Sequence, residues 1–224
     1  MMDKITFEQY CELGKNDDYA PGWVAIDEAF KKVYGEQVPA HYGTIITSRA
    51  MFGGEEYLDG YSLFRSDNGY YHIVTYGMSR LYFDKENYGQ KYSGWGYEMT
   101  IKIKADSVEE CNWALNMLGN LARYTYRNEA YFQENEYILG DGSPIKTGSD
   151  SKLCSLLTLL DTEVESVDTV HGRVDFIQLV GITWDDAQHV HSNGKKEFVA
   201  EAVNKIKKEN PHFVTDLIST KNYL

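Results

Sequence analysis

The sequence predicts an α+β fold, with a mixed, mostly antiparallel sheet packed against helices. Three observations favour this class. Apolar residues recur with helical spacing at 21–34 and 108–126, strand and hairpin signals lie between them, and the sequence contains neither an internal repeat nor a linker-like tract. With 224 residues, 42% of them hydrophobic, the chain is long enough to bury a substantial core. We therefore expect a single domain at 21–224, preceded by an N-terminal extension at 1–20.

The first predicted helix covers residues 21–34. Pro21 suits its first turn, where backbone N–H groups lack helical partners, and Gly35 suits its end. We expect one face to be buried, formed by Trp23, Ile26, Phe30 and Val33. The segments that follow are rich in β-formers and turn residues, which predicts a strand at 41–48 and a loop at 52–60.

A β-hairpin is predicted next. Strands at 61–66 and 70–77 flank the turn Asp67-Asn68-Gly69. The segment 96–104 alternates apolar and polar residues, which predicts an antiparallel strand with one buried and one solvated face. The expected buried face holds Tyr97, Met99, Ile101 and Ile103, and the expected solvated face holds Glu98, Thr100, Lys102 and Lys104.

The longest helix is predicted at 108–126 and would begin with a capping box of Ser107 and Glu110. A turn is expected at His171-Gly172. The strands expected in this half of the chain are 131–139, 152–160 and 173–180. Two helices follow, one after Thr183 and one at 195–208. The residues expected to face inward on the last helix are Phe198, Ala202, Val203 and Ile206.

The charge of the chain disfavours some classes of partner. The formal net charge is −12, and such a surface repels a phosphate backbone, so we expect no direct nucleic-acid partner. Residues 129–168 alone hold nine carboxylates and two lysines. This acidic segment is either a solvated surface or a docking face for a basic partner, and both interpretations stay open.

Other features of the composition indicate the compartment. The sequence has no apolar run long enough to cross a membrane, and its acidic N-terminus does not resemble a secretory signal. The three cysteines, Cys11, Cys111 and Cys154, are widely spaced, which disfavours a disulfide framework or a CxxC metal site. We expect a cytoplasmic protein without a metal or another cofactor.

Short motifs with possible chemistry are weak. The stretch GMSRL at 77–81 has Leu81 where a nucleophile elbow needs its second glycine, so Ser79 is better explained by a turn. His189 and His191 would point to different sides of a helix, which disfavours a metal site. His72 lies among aromatic residues and is expected to be a hydrogen-bonded structural histidine. No catalytic constellation stands out, so we expect a non-enzyme.

Tyrosine is the positive signal, with 18 residues in the chain and many of them at 57–97. Tyrosine and tryptophan combine a large contact area with a polar tip and are enriched in binding hot spots. The alternative is that these rings line the inner face of the sheet, and this must hold for some of them.

Several longer stretches together resemble the suppressor-of-fused domain. They are W-x-A-I-D (Trp23, Ala25, Ile26 and Asp27), YGEQVPAHYGT (34–44), LDG (58–60), HIVTYGMSRLY (72–82), SGWGYEMTIKIK (93–104), LARYTY (121–126), FIQLVGIT (176–183) and FVTDLISTKNYL (213–224). These stretches follow the family order from about residue 21 to the C-terminus. Because the last one reaches the end of the chain, we expect a bacterial single-domain member of the family.

The resemblance implies a protein-binding module. Animal members hold an extended peptide that adds to a sheet edge, and bacterial members resemble immunity proteins that neutralise polymorphic toxin domains. We expect an immunity protein, with a peptide-binding regulator and an unrecognised hydrolase as the alternatives. The residues expected to bind the partner are Tyr70, His72, Tyr76, Tyr82, Trp95 and Tyr97 in a groove, with Glu163 and Glu165 on the acidic face.

Overall fold

The structure is a computed structural model that describes residues 5–43, 57–193 and 196–224, and these residues form one nine-stranded sheet and five helices. In chain order the elements are α1 (Phe7–Leu13), α2 (Pro21–Tyr34), β1 (Ala40–Gly43), β2 (Gly60–Arg65), β3 (Tyr71–Tyr76), β4 (Tyr92–Ile103), α3 (Asn112–Asn128), β5 (Glu136–Ile138), β6 (Leu153–Leu160), β7 (Val167–Thr169), β8 (Gly172–Thr183), α4 (Trp184–Asn193), α5 (Lys196–Glu209) and β9 (Val214–Thr215). The predicted fold class is confirmed.

The sheet is mixed and mostly antiparallel. Its strand order is β1-β2-β3-β4-β8-β6-β5, with β7 paired to β8 and β9 paired to β4. The pairs β4–β8 and β4–β9 are parallel, and the other pairs are antiparallel. β1 and β5 are therefore the two edges of the main order.

Helices cover both faces of the sheet. On one face, α3 packs on the cluster that includes Ile73, Ile101 and Leu179. On the other face, α2 packs on the cluster around Phe176, and α4 and α5 pack on the cluster around Val180. The register places Thr100 opposite Gln178 on this second face, between those two apolar clusters. A buried polar layer thus separates two apolar clusters on the same side of the sheet.

The strand β4 differs from its prediction. Its apolar side is buried and it pairs antiparallel with β3 as expected, but Glu98, Thr100 and Lys102 are also completely buried, so the predicted solvated face was wrong. β4 lies in the centre of the sheet, pairs in parallel with β8, and has helices over both faces. Alternation predicts a solvated face only when no distant segment brings partners for the polar side chains.

Local turn chemistry was predicted well. The 61–66 and 70–77 hairpin is confirmed by the antiparallel β2–β3 pair, and Gly69 adopts a φ of 82° in its turn. The helix at 21–34 is confirmed as α2, with Gly35 following at a φ of 62°. The remainder of the predicted 41–48 strand beyond Gly43, and the 52–60 loop up to residue 56, lie outside the described residues.

Two helix details differ from prediction. A 3-10 turn at Glu109–Cys111 precedes α3, and Glu110 Oε2 accepts from Asp106 N at 3.0 Å, so the Ser107–Glu110 capping box was wrong. On α5, Val199 is buried with Ala202 and Ile206, whereas Phe198 is largely exposed. The inward face is therefore shifted by one residue at its first position.

The N-terminal residues 5–20 are docked on the rest of the chain. Tyr10 of α1 is completely buried, and its hydroxyl lies 2.8 Å from His171 Nε2 and accepts from Asp84 N at 2.7 Å. Tyr88 donates its hydroxyl to Ile5 O at 2.6 Å. Within the described parts of the chain, none of the helices has the length and apolarity needed to cross a membrane.

Candidate functional site

The structure separates the residues that were expected to line one groove. Tyr70, His72, Tyr76 and Tyr97 are buried, whereas Tyr82 is 48% exposed and Trp95 is partly buried. β3 carries His72 and Tyr76 beneath α2, where Phe30 lies 5.0 Å from the His72 ring and Trp23 stacks on Tyr76 at 4.3 Å. The four buried residues of the expected groove therefore belong to the interior and do not face an open groove.

His72 belongs to a charge cluster that consists of His72, Lys102, Asp161 and Glu163. Lys102 has a fully buried side chain, and its Nζ lies 3.3 Å from Asp161 Oδ1 and 3.0 Å from Glu163 Oε2. His72 Nε2 lies 2.8 Å from Asp161 Oδ2, and its Nδ1 lies 2.9 Å from the Tyr34 hydroxyl. The cluster thus joins β3, β4 and the segment after β6 through buried charges that neutralise one another.

The two carboxylates of the charge cluster stay ionised. Burial alone would raise the pKa of Asp161, but His72, Lys102 and the Thr100 hydroxyl outweigh burial and hold that pKa well below its ordinary value. Burial likewise opposes ionisation of Glu163, and Lys102 together with the Tyr70 hydroxyl lowers its pKa. Tyr70 donates to Glu163 Oε1 at 2.7 Å. Glu163 therefore serves a buried network, while Glu165 is exposed.

The turn at residues 77–79 surrounds a second buried carboxylate, Glu98. Its Oε1 accepts from Gly77 N at 3.1 Å and from both Ser79 N at 2.9 Å and Ser79 Oγ at 2.6 Å. Its Oε2 accepts from Thr75 Oγ1 at 2.7 Å and Met78 N at 3.3 Å. Burial raises the pKa of Glu98 to about 7, although these donors oppose the rise.

This arrangement confirms Ser79 as a turn residue. Ser79 is only 5% exposed, and its hydroxyl is committed to Glu98. The backbone N–H groups of the turn also point at Glu98, so they do not form an oxyanion hole. The half-match to a nucleophile elbow therefore has a structural explanation.

A second serine also approaches a potential base. Ser62 Oγ lies 3.1 Å from His41 Nδ1, but Ser62 is only 3% exposed. The nearby carboxylate of Asp27 accepts from the Tyr76 hydroxyl at 2.8 Å. A substrate carbonyl must reach a nucleophile for acyl transfer, and neither serine offers such access in this structure.

The described residues contain no group of three or more His, Cys, Asp and Glu side chains that could hold a metal ion. His191, on α4, has its Nδ1 3.0 Å from the Tyr137 hydroxyl. The thiols of Cys11, Cys111 and Cys154 are free.

A concave surface open to solvent lies at the β5 edge of the sheet, and we call it the β5 hollow. It has a volume of about 360 Å³ and lies between the end of α3, the loop before β5, β5 itself and the start of α5. Four aromatic residues contribute to its wall: Tyr124, Tyr131, Phe132 and Tyr137. Tyr124 is 50% exposed and Tyr131 is 53% exposed. Large exposed aromatic rings around a concavity are typical of protein-binding surfaces.

The edge strand next to the β5 hollow offers backbone groups as well. β5 pairs with β6 on one side, and nothing in the described parts of the chain pairs with its other side. Extended peptides bind such edges by adding a strand, because the unpaired N–H and C=O groups of the edge accept a new ladder. The β5 hollow therefore combines a sheet edge with pockets for side chains.

Two carboxylates, Glu129 and Glu134, directly neighbour the lining residues Ala130 and Asn135 in sequence, and we call them the acidic rim of the β5 hollow. Glu129 and Glu134 are exposed, and Glu136 Oε1 lies 3.3 Å from Lys196 Nζ. These carboxylates belong to the acidic segment 129–168. The structure divides that segment: its first part contributes Glu136 and other lining residues to the β5 hollow, while Asp161 and Glu163 enter the charge cluster.

One residue of the expected groove, Tyr97, contacts a lining residue of the β5 hollow. Phe132 packs edge-on against Tyr97 at 6.4 Å and stacks on Tyr124 at 6.1 Å. Tyr97 thus supports the hollow from behind. The hollow residues were missed because α3, β5 and α5 meet only in the folded chain, although the acidic and aromatic segment LARYTYRNEAYFQENEY contains most of them.

Comparison with known proteins gives consistent matches. The family model described as Suppressor of fused protein (SUFU) matches residues 54–218. The suppressor of fused homologs of Homo sapiens and Mus musculus are each 26% identical to this chain over 178 residues. The match covers 74% of this chain and only 36% of each of these curated relatives.

Solved structures share the fold. A chain of the Sufu-Fu complex crystal structure superposes with a TM-score of 0.77 at 23% identity, covering 92% of this chain and 93% of that one. Drosophila Suppressor of Fused gives a TM-score of 0.78 at 23% identity, covering 93% of this chain and 52% of that one. A SUFU homolog from Neisseria gonorrhoeae gives 0.60 at 15% identity, covering 91% and 97% of the two chains.

Proposed function

Because the chain belongs to the suppressor of fused family, we propose that it is a non-enzymatic protein-binding module that docks an extended segment of its partner along β5. The observation that carries the proposal is the β5 hollow, where an unpaired sheet edge adjoins exposed aromatic rings. Main-chain hydrogen bonds to β5 would supply affinity, and the aromatic pockets would supply choice of side chain.

A solved structure of similar fold supports the proposal that the partner is a protein. The chain of similar fold in the Sufu-Fu complex crystal structure comes from an assembly with another protein. The buried positions of Ser62 and Ser79 do not favour the alternative of an unrecognised hydrolase.

The finer proposal is that this chain is an immunity protein and that its partner is a toxin domain with a basic face. The net charge of −12 and the exposed Glu129 and Glu134 beside the β5 hollow support it. Carboxylates at the rim would steer a basic partner toward the edge strand, and a bound immunity protein would occlude a basic catalytic cleft.

Further parts of the proposal concern the setting. The likeness to the Neisseria gonorrhoeae homolog, of which the chain covers 97%, supports a bacterial member of the family. The three free thiols suit a cytoplasmic protein. We propose that residues 1–20 are an extension of the domain at 21–224, and the contacts of Ile5 and Tyr10 with that domain support this. Tyr82, partly buried Trp95 and exposed Glu165 stay candidates for partner contact outside the hollow.

A peptide-binding regulatory role is the second function, because the β5 edge also suits a short extended motif of a transcription or signalling protein. Capture of the tagged chain's partner from lysate of its source cells at low salt, followed by mass spectrometry, separates the two. A basic toxin domain encoded beside this chain's gene supports immunity. A regulator without a neighbouring toxin gene supports the second function.

Charge reversal tests the docking surface. In the double variant Glu129→Lys and Glu134→Lys, association with the captured partner should slow by about tenfold at low ionic strength and depend less on salt, because rim charges act mainly on association. The association rate constant is measured by stopped-flow fluorescence or surface plasmon resonance at several salt concentrations.

The matched control is the double variant Glu8→Lys and Glu28→Lys, which makes the same change in net charge with exposed residues of α1 and α2. Equal slowing of both double variants would mean that only net charge matters. Unchanged kinetics in the rim variant would remove the acidic rim from the docking surface.

A further inference from the structure

Thr158, in the middle of β6, holds the loop that forms the wall of the β5 hollow. It is completely buried and lies opposite Glu136 in the β5–β6 register. Its Oγ1 accepts from Glu136 N at 3.0 Å and lies 2.5 Å from Gln133 O and 3.2 Å from Glu136 O. Its carbonyl oxygen accepts from Asn135 N at 2.9 Å. One threonine therefore binds the backbone of three residues of this loop.

These bonds add to the antiparallel β5–β6 pair. In a regular antiparallel pair, backbone groups bond to backbone groups, and a strand side chain takes no part. Here the hydroxyl also accepts from a backbone N–H, that of Glu136, where the chain leaves the loop and enters β5. Asn135 has a φ of 59°, in the left-handed region that asparagine adopts more readily than most residues other than glycine. The loop keeps this conformation because Thr158 satisfies its backbone groups on both sides of Asn135.

The same loop presents the surface that would meet a partner. Tyr131 and Phe132 directly precede Gln133, whose carbonyl oxygen is bound by Thr158. Lys196 Nζ also donates to Gln133 Oε1 at 3.0 Å, which connects the loop to α5. A loop that is already fixed in the free protein loses less conformational entropy on binding.

We propose that Thr158 is a positioning residue for docking at β5: it does not touch the partner, and its hydroxyl fixes the loop 131–136 in the form that the partner binds. The proposal rests on the proposed function of the β5 edge. A hydroxyl is required because the same atom must both donate to a carbonyl and accept from an N–H.

The test compares Thr158→Val with Thr158→Ser. Valine has the shape of threonine but leaves Glu136 N and Gln133 O without a buried partner, whereas serine keeps the hydroxyl. In the free protein, hydrogen exchange of the Asn135 and Glu136 amides should become about tenfold faster in Thr158→Val and stay near the wild-type rate in Thr158→Ser.

Binding is measured with a defined peptide. It is selected on the wild-type protein from a random nine-residue display library, and it is kept only if it no longer binds the Tyr131→Ala variant. Its affinity should fall about tenfold in Thr158→Val and be restored to within about twofold in Thr158→Ser. If Thr158→Val does not fold, Thr158→Cys replaces it, since a thiol is a weak hydrogen-bonding group.

The outcomes separate the two proposals. Faster exchange with unchanged peptide affinity would overturn the positioning role of Thr158 and leave docking at β5 intact. Unchanged exchange would overturn the positioning role as well. If no selected peptide responds to Tyr131→Ala, docking at β5 itself fails, and the positioning role fails with it.

Discussion

The charge cluster and the β5 hollow are two polar regions of one sheet that differ in their exposure to solvent. The charge cluster gathers two acids, a lysine and a histidine from three segments and shields them from water, so that each charge has a partner. The β5 hollow places aromatic rings and carboxylates at an unpaired edge, where several of them meet solvent. The first region has the residue types of an active site, and the second has the accessibility of a binding site.

The difference teaches that chemical residue types and function need not coincide. His72, Asp161 and Lys102 would attract attention in any search for catalysis, yet their contacts with one another satisfy them. Tyr131 and Glu134 belong to no motif, yet they have the exposure that recognition requires. We therefore expect substitutions in the charge cluster to affect mainly stability, and substitutions in the β5 hollow to affect mainly binding.

The largest expected effect is on the charge cluster. Lys102→Met should lower the free energy of unfolding by about 3–5 kcal/mol, because Asp161 and Glu163 would remain buried without their shared cation. Urea denaturation measures the change. Lys104→Met is the matched control, since Lys104 pairs with Asp216 at 2.8 Å with its side chain 58% exposed, and its loss should cost less than about 1 kcal/mol. Equal losses would mean that the cluster contributes no more than a surface pair.

The same contrast explains how much of the fold could be predicted from the sequence. The β2–β3 hairpin and α2 were predictable because their signals are local: a glycine-containing turn in one and Pro21 with Gly35 in the other. The burial of Lys102 was not predictable, because its acidic partner Asp161 lies far along the chain.

The candidate site was less predictable than the fold. The tyrosine-rich segment 57–97 was expected to bind a partner, but β3 is covered on both faces and keeps His72 and Tyr76 inside. Composition cannot distinguish an aromatic ring beneath a helix from one at a sheet edge. Only the meeting of α3, β5 and α5 identifies Tyr124 and Tyr131 as the accessible pair.

A smaller effect is expected for the pH dependence of Glu98. Burial raises the pKa of Glu98 in the folded protein to about 7. Between the lower pKa of the unfolded chain and pH 7, Glu98 is therefore protonated in the folded state and ionised in the unfolded state. The contribution of Glu98 to stability is therefore fully present below the unfolded pKa and is lost as the pH rises through about 7. We expect this loss to be about 1–3 kcal/mol.

Glu98→Gln imitates the protonated form of Glu98. In this variant, the free energy of unfolding should change less between pH 4.5 and pH 8 than it does in the wild type. Chemical denaturation of both proteins across this range measures the difference, and the other titrating groups cancel in the comparison. The exposed Glu134→Gln is the control and should keep the wild-type profile. A Glu98→Gln profile parallel to that of the wild type would show that Glu98 does not change its protonation in this range.

The smallest effect on stability is expected at the β5 hollow, where the effect on binding should be largest. Tyr131→Ala should change the free energy of unfolding by no more than about 0.5 kcal/mol, because an exposed ring loses little on truncation. Binding of the captured partner should nevertheless weaken at least about tenfold, because exposed aromatic rings at a concave edge act as anchors. Calorimetric titration and urea denaturation of the same preparations measure the two quantities.

The buried neighbour Tyr97 supplies the opposite case. Its ring supports Phe132 from the inside, and its hydroxyl lies 3.0 Å from Thr125 Oγ1. Tyr97→Ala should cost about 3–5 kcal/mol of stability, as large truncations in a packed core do. If Tyr131→Ala leaves both stability and binding unchanged, the β5 hollow is ordinary surface. Tyr82, the most exposed residue of the originally expected groove, then becomes the next position at which docking is measured.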